Sequence, residues 1–382
     1  MSEANTTDIR ALLSQVAPPK ALGRNHAVSF TSRSNERILT NEDRYFAEDW
    51  DLANGVWKLA FVLDGHGGTA TVDFVLENLP SVLKAALVSG IDSSTLTLDD
   101  AAVARIMSEA LLSLQDQLTN EFLSLIPTKP DDLAAFDAKA TFQDRTGKPG
   151  VILRRVMSGT TASVALIDPT NRVHIAGVGD SDAFLCFTSS ADETDWDCCS
   201  MGFAHRCSDP MEAARILGEH PGEPDCISQT GVPRLLGWHV LSRAMGNIYF
   251  NLPIDILRIL DVGLGEEKPF NEAFLRLFKT PPYLSHIPQV SHESRPTQKF
   301  LILASDGLGH LMQRRLTGAD SVVLGRICAN AVARAEAAGQ NLAEAVLWEA
   351  MGGDGPDNLC LSAINGTAKG RVDDTTVVVI PL

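Results

Sequence analysis

The chain has 382 residues, of which 45% are hydrophobic and 21% charged, with 48 acidic against 32 basic side chains and a formal net charge of -16 at pH 7. That length admits one large domain or two smaller ones, and the balance is that of a globular protein. The acidic excess excludes a general nucleic-acid binder, whose phosphate contacts demand clustered Lys and Arg; it suits divalent cations, although solubility accounts for most of it. Seven cysteines (Cys186, Cys198, Cys199, Cys207, Cys226, Cys328 and Cys360) are odd in number and form no CxxC pair. They read as reduced thiols of an intracellular protein, not as a disulfide framework or a zinc cluster. No apolar stretch approaches the ~20 residues of a membrane span. Residues 1–24 lack a signal-peptide core, and their Glu3, Asp8 and two arginines make a poor mitochondrial presequence. The expectation is a cytoplasmic protein, with the mitochondrial matrix as the alternative if a leader is missing.

In chain order, residues 1–24 read as a tail or a loosely docked helix. Segments 27–33 and 44–47 bracket a polar loop holding Asn41-Glu42-Asp43, and a buried strand follows at 57–63. Val72, Val75, Leu76, Leu79, Val82, Leu83, Ala86 and Leu87 fall at helical spacing, with Pro80 expected to kink or divide the helix. Val103, Ile106, Met107, Ala110, Leu111, Leu114 and Leu118 mark a second long amphipathic helix. Residues 127–150, rich in Pro, Asp and Gly, predict an exposed loop. Ala162–Ile167 and Arg172–Val178 flank Asp168-Pro169-Thr170-Asn171 as a hairpin, and Ala183–Phe187 continues the antiparallel pattern. Ser208-Asp209-Pro210-Met211-Glu212 carries helix-start signals for a helix to about Glu219. Residues 248–298 predict an irregular, Pro-rich excursion. Phe300–Ala304 is a buried strand, helices occupy 320–337 and 341–351, and Val377–Ile380 closes the chain as a strand. Hairpins and separate long helices argue for an α+β class with antiparallel sheets and helices packed outside, not for βαβ alternation.

The chemistry gathers at the ends of the apolar runs. Leu59–Leu63 stops abruptly at Asp64-Gly65-His66-Gly67-Gly68; Val173–Gly179 leads to Asp180; Phe300–Ser305 leads to Asp306-Gly307; and Asp373-Asp374 precede the last strand. Glu42 and Asp43 sit before an early strand. One such Asp is usually a turn residue. Several gathered at one edge of a sheet core would repel strongly unless cations neutralised them. Oxygen-only ligands point to hard ions, Mg²⁺ or Mn²⁺. Two such ions sharing a carboxylate can acidify a water between them and polarise a phosphoryl group, so the pattern favours metal-assisted phosphoester hydrolysis. His66, beside Asp64, is a proton carrier for that chemistry.

In this order, Asn41-Glu42-Asp43-Arg44, Asp64-Gly65-His66-Gly67-Gly68, Ser158-Gly159-Thr160-Thr161-Ala162, Gly177-Val178-Gly179-Asp180-Ser181, Ser242-Arg243-Ala244-Met245-Gly246, Ala304-Ser305-Asp306-Gly307-Leu308 and Asp373-Asp374-Thr375-Thr376-Val377 resemble the metal-dependent type 2C protein serine/threonine phosphatases. Each segment is weak alone; the ordered set is specific. Ile216-Leu217-Gly218-Glu219-His220-Pro221, Arg234-Leu235-Leu236-Gly237 and Thr280-Pro281-Pro282-Tyr283-Leu284 are similar to the pyruvate dehydrogenase phosphatase branch. The resemblance implies a four-layer αββα sandwich over residues 25–382, with 248–298 inserted, and a centre of two Mg²⁺ or Mn²⁺ ions at one end. By the same resemblance, Asp64 bridges both ions, Gly65 offers its carbonyl, Asp306 and Asp373 bind one ion, and Glu42 and Asp43 hold metal waters. A bridging hydroxide attacks the phosphorus of a phosphoserine or phosphothreonine protein, and His66 protonates the leaving oxygen.

Three departures bear on this. The family's phosphate-binding Arg falls at Ile38, leaving Arg37 and Arg33 as candidates. An acid that would pair with Asp180 around a third ion is replaced by His310. The Ser-Arg-Ala-Met-Gly motif ends in Asn247 where Asp is usual. Asp374 is the alternative to Asp373 as late ligand; Asp357 is set aside because 355–358 read as a helix start. The competing function is a pseudophosphatase used for binding or regulation, and a third is hydrolysis of small phosphoesters. Oligomeric state is not legible.

Overall fold

The apolar runs pair antiparallel into two sheets. The computed structural model describes residues 6–34, 37–38, 40–91, 98–188, 196–265, 270–355, 358–368 and 372–382. Eleven strands build the two large sheets: β1 (Lys20–Leu22), β2 (Asn25–Phe30), β3 (Arg44–Leu52), β4 (Gly55–Leu63), β5 (Ala162–Ile167), β6 (Val173–Val178), β7 (Asp182–Thr188), β8 (Trp196–Ser200), β9 (Gln289–Glu293), β10 (Gln298–Ala304) and β11 (Thr375–Pro381). One sheet has the order β1-β2-β11-β10-β7-β8, the other β9-β6-β5-β4-β3.

Alternation along the strands sorts side chains between three cores. Ala60, Val62, Ala165, Ile175, Leu185, Leu301, Leu303 and Val378 fill the space between the sheets. Trp57, Leu59, Phe61, Val164 and Leu166 face outward onto α2 (Ala70–Gly90) and α3 (Asp100–Leu123). Phe184, Phe300, Ile302, Val377 and Val379 face the opposite helix layer, which includes Leu324, Val332, Val346 and Leu347. The result is the expected α+β sandwich of four layers.

Several local expectations are corrected. Helix α2 runs unbroken through Pro80. Its face Val72, Val75, Leu79, Leu83 and Leu87 is fully buried, and that burial outweighs the ~3 kcal/mol a proline costs in a helix interior. Ala183–Phe187 does not extend the β5–β6 hairpin; the chain crosses to the other sheet, where β7 pairs with β10 and β8. Residues 127–150 contain one-turn helices at Pro130–Ala134 and Ala138–Phe142, the latter burying Phe142. The excursion supplies a helix at Ile254–Leu264 and edge strand β9, and its Phe250, Phe274 and Tyr283 join a fourth core. Of the two readings of residues 1–24, tail or docked helix, the helix is the one found: α1 (Thr6–Val16), with Leu13 and Ala17 fully buried.

Two polar networks tie the layers together. His174 and His292, which no spacing in the sequence links, are cross-strand partners on β6 and β9, with Nδ1 atoms 2.7 Å apart. Asp100, at the start of α3, lies 4.0 Å from His174 and takes two hydrogen bonds from Arg172. In the second network Glu212, in a helix capped by Asp209 (Pro210–Glu219), accepts from Ser242, Arg243 and Arg215. Arg243 and Glu212 are 8% and 6% exposed, so removing one charge strands the other. Glu212→Gln is therefore expected to cost about 3–5 kcal/mol in urea unfolding, with much of the loss recovered when Arg243→Met is added.

Candidate metal centre

Strand register brings the acidic strand ends to one edge. In one sheet Arg44 pairs with Leu63, Val62 with Ser163 and Ala162 with Val178. In the other, Asp182 pairs with Ala304, Ala304 with Val377, and Thr375 with Phe30. Asp43, Asp64 and Asp180 thus emerge on the same side as Asp182, Asp306 and Asp373. Each is anchored to a stiff strand, so none can retreat far from its neighbours.

The main chain around each acid is fixed. The Asp64 carbonyl accepts from Thr161 N (2.9 Å) and Thr160 Oγ1 (3.1 Å). Glu42 N donates to Asp374 Oδ2 (2.9 Å), and Glu42 Oε1 accepts from Gly68 N (2.6 Å). Fully buried Ser305 donates from Oγ to Asp43 Oδ2 (2.7 Å) and accepts from Thr376 N (2.9 Å). Asp306 opens α4 (Asp306–Gln313). At Gly307 a Cβ would lie 2.0 Å from the Asp374 carbonyl, so only glycine lets this helix sit against the Asp373-Asp374 turn.

Electrostatics records the crowding. Burial first, then Asp43, Asp306, Asp180 and Asp373, push the Asp64 carboxyl well above its ordinary range. Burial raises Asp43 to about 7 against its bond from Ser305, with Asp374 and Asp306 adding to the rise. Asp306 rises to about 6 through burial and Asp180, and Asp182 to about 7 for the same two reasons. Ligand atoms of Asp306, Asp373 and His310 all lie within 4.8 Å of one another. Asp43 Oδ1 is buried without a hydrogen-bond partner. A carboxylate-rich cluster that stays anionic only at a cost, with an orphaned oxygen inside it, fits hard divalent cations.

Asp373 faces Asp306, whereas Asp374 Oδ2 accepts from the Glu42 main chain. Asp180 lies beside the cluster, its carboxylate paired with Arg206 Nε; Arg206 Nη2 reaches Asp306 Oδ2 at 3.4 Å. His66 lies at the edge, its Nε2 2.6 Å from Asn247 Oδ1 and its ring 4.8 Å from that of His239. Burial lowers the His66 pKa, while Asn247, Asp180 and the Asp64 carbonyl oppose the drop. A Cβ at Gly159 would lie 1.9 Å from Asn247 Oδ1 and 2.6 Å from His66 Nε2, so glycine there makes room for the pair. The side chains of Arg33 and Arg37, and all of Asp357, lie outside the described residues.

Sequence reading missed four side chains around the site. Asp182 was legible only as the second acid of Asp180-Ser181-Asp182. Arg206 carried no signal, because its role depends on a loop folding back. Arg154 and Arg155 line a cavity of about 320 Å³ with Gly67 and Gly68, a proximity no spacing announces. On the other flank a cavity of about 270 Å³ is lined by Asp180, Asp182, Arg206, Asp306 and His310.

The protein phosphatase 2C family model matches residues 26–317. The mitochondrial [pyruvate dehydrogenase [acetyl-transferring]]-phosphatase 1 of Homo sapiens is 33% identical over 169 residues, which are 43% of this chain and 31% of that protein. The Saccharomyces cerevisiae protein of the same name is 27% identical over 254 residues, 66% of this chain and 41% of that one. The matched part thus spans about a third of the human relative's length. Among solved structures, serine-threonine phosphatase 2C from Toxoplasma gondii superposes with a TM-score of 0.58 at 15% identity, over 95% of this chain and 96% of that one. A C. elegans sex determining protein gives 0.56 at 17% identity, over 95% and 65%. At those identities the structural likeness speaks to the fold.

Carboxyls whose pKa is raised by folding bind protons more tightly folded than unfolded. Their contribution is present below the ordinary value of 3.8 and is lost as pH rises through about 6 to 7. Chelator-treated protein should therefore melt at a lower temperature at about pH 8 than at about pH 5, and saturating Mg²⁺ should restore the loss at the higher pH. A melting temperature indifferent to both would contradict this account of the cluster.

Proposed function

Since this chain belongs to the protein phosphatase 2C family, we propose that it is a metal-dependent protein phosphatase acting on phosphoserine and phosphothreonine. The observation that carries the reading is the convergence of Asp64, Asp306 and Asp373 with Glu42 and Asp43 at one sheet edge, beside His66. In this reading Asp64, the Gly65 carbonyl, Asp306 and Asp373 hold two Mg²⁺ or Mn²⁺ ions, and Glu42 and Asp43 bind their waters. Bound ions would offset the carboxylate charge, acidify a water held between them and polarise the phosphoryl group.

The chain's own residues do the rest. Asp64 sets the position of the reacting water, because its main chain is locked by Thr160 and Thr161. His66 delivers a proton to the departing serine or threonine oxygen, a poor leaving group without one. Asn247 orients the imidazole through the contact at Nε2. Arg37 or Arg33 is the proposed partner of the substrate phosphate. Residues 25–382 are taken as one catalytic unit, since strands from both ends of that range share a sheet.

The relatives' names make a phosphorylated pyruvate dehydrogenase the first substrate to test, and the mitochondrial matrix the compartment to test against the cytoplasm. Among the described residues no helix is long and apolar enough to cross a membrane.

Phosphate release from a phosphothreonine peptide should require Mn²⁺ or Mg²⁺ and fall at least about 100-fold in Asp64→Asn and Asp306→Asn. His66→Ala should lose about 10²–10⁴-fold on that peptide, and far less on p-nitrophenyl phosphate, whose leaving group needs no proton. No metal-dependent turnover above the Asn controls would replace this reading with the pseudophosphatase one.

A further inference from the structure

Arg206 is placed with care next to the acidic cluster. Its neighbour His205 is 1% exposed and is locked to Gly179 twice: His205 N donates to the Gly179 carbonyl (3.2 Å), and Gly179 N donates to His205 Nδ1 (3.0 Å). The far side of the ring meets Gln289 Oε1 at 2.9 Å, and the His205 carbonyl accepts from Ser242 N. This double lock sets residue 206 opposite Asp180. The guanidinium then spans two acids, with Nε on Asp180 and Nη2 3.4 Å from Asp306 Oδ2. The Asp180 side chain is 5% exposed, so its charge is nearly withdrawn from water and depends on this partner.

On this flank the donor set for a further cation is depleted. His310, in the position of a carboxylate, is half exposed and 3.6 Å from Asp306 Oδ1. Imidazole is a poor ligand for Mg²⁺. A divalent ion held between Asp180 and Asp306 would displace both Arg206 contacts and then face a guanidinium that cannot deprotonate.

We propose that Arg206 is a built-in counter-cation: it takes the place of a third ion between Asp180 and Asp306 and limits the cluster to two divalent ions. Asp180 is then the ion-pair partner of a positioning residue and not a metal ligand. The inference rests on the two-ion reading above, but its test separates the two. Direct Mn²⁺ binding, followed by electron paramagnetic resonance of the free ion, counts sites without reference to turnover. The full chain should bind two equivalents. Arg206→Ala and Arg206→Gln should each gain one, Arg206→Lys should stay at two, and Arg206→Ala with Asp180→Asn should return to two. That reversal is not what a merely loosened fold would give, and circular dichroism on each variant checks folding. Equal counts in wild type, Arg206→Ala and Arg206→Gln would overturn the proposal. A wild-type count below two would instead count against the two-ion reading.

Discussion

Mutual repulsion between carboxylates is the constraint on which this structure turns. Two antiparallel sheets, each in register by its own alternation, deliver their acidic ends to a single edge. Chain flexibility cannot relieve the crowding, because every acid lies within two residues of a hydrogen-bonded strand. Three remedies are open to such a cluster: protonation, a bound cation, or a fixed guanidinium. Burial and mutual repulsion push the carboxyls toward the first, and Arg206 supplies the third on one flank. What remains for divalent ions is the central part around Asp64, Asp306 and Asp373. Strand-anchored carboxylates also suit catalysis, since ligands that cannot relax keep their geometry through a reaction.

The His66 side of the site depends on a different part of the molecule. His66 projects from the turn after β4, and the wall behind it comes from later in the chain: Asn247, His239 and, through them, the aromatic cluster of Phe250, Phe274 and Phe278. That cluster gives the long excursion a structural role beside the site. It buttresses the imidazole. The Glu212–Arg243 pair then fixes the segment from which Asn247 hangs.

Much of the scaffold was legible because strong local signals and tertiary packing agree. The β5–β6 hairpin has its Asp-Pro-Thr-Asn turn, α3 its Asp99 cap, and the Pro210–Glu219 helix its Asp209 cap and N1 proline. Reading failed where the two disagree. Pro80 obeys the apolar face of α2, not its own preference. Residues 127–150 look polar, yet Phe142 finds the fourth core. The strand after β6 reads as a third arm of a meander, but strand signals carry no information on which sheet a strand will join.

The same division holds for the site. Local sequence marks the candidate ligands: Asp64, Asp306 and Asp373 stand at the ends of apolar runs, and an apolar run that must be buried forces its terminal acid to the rim of a sheet. It also determined that His66 sits two residues from the central carboxylate. Which acids share a neighbourhood, that Asp373 faces Asp306 while Asp374 faces a backbone amide, and that Arg206 closes one flank are properties of the assembled fold. Those outcomes depend on register between strands far apart in the chain and on a loop pinned by His205. Contacts of that range leave no periodicity in a sequence, because neither partner's local conformation specifies the other.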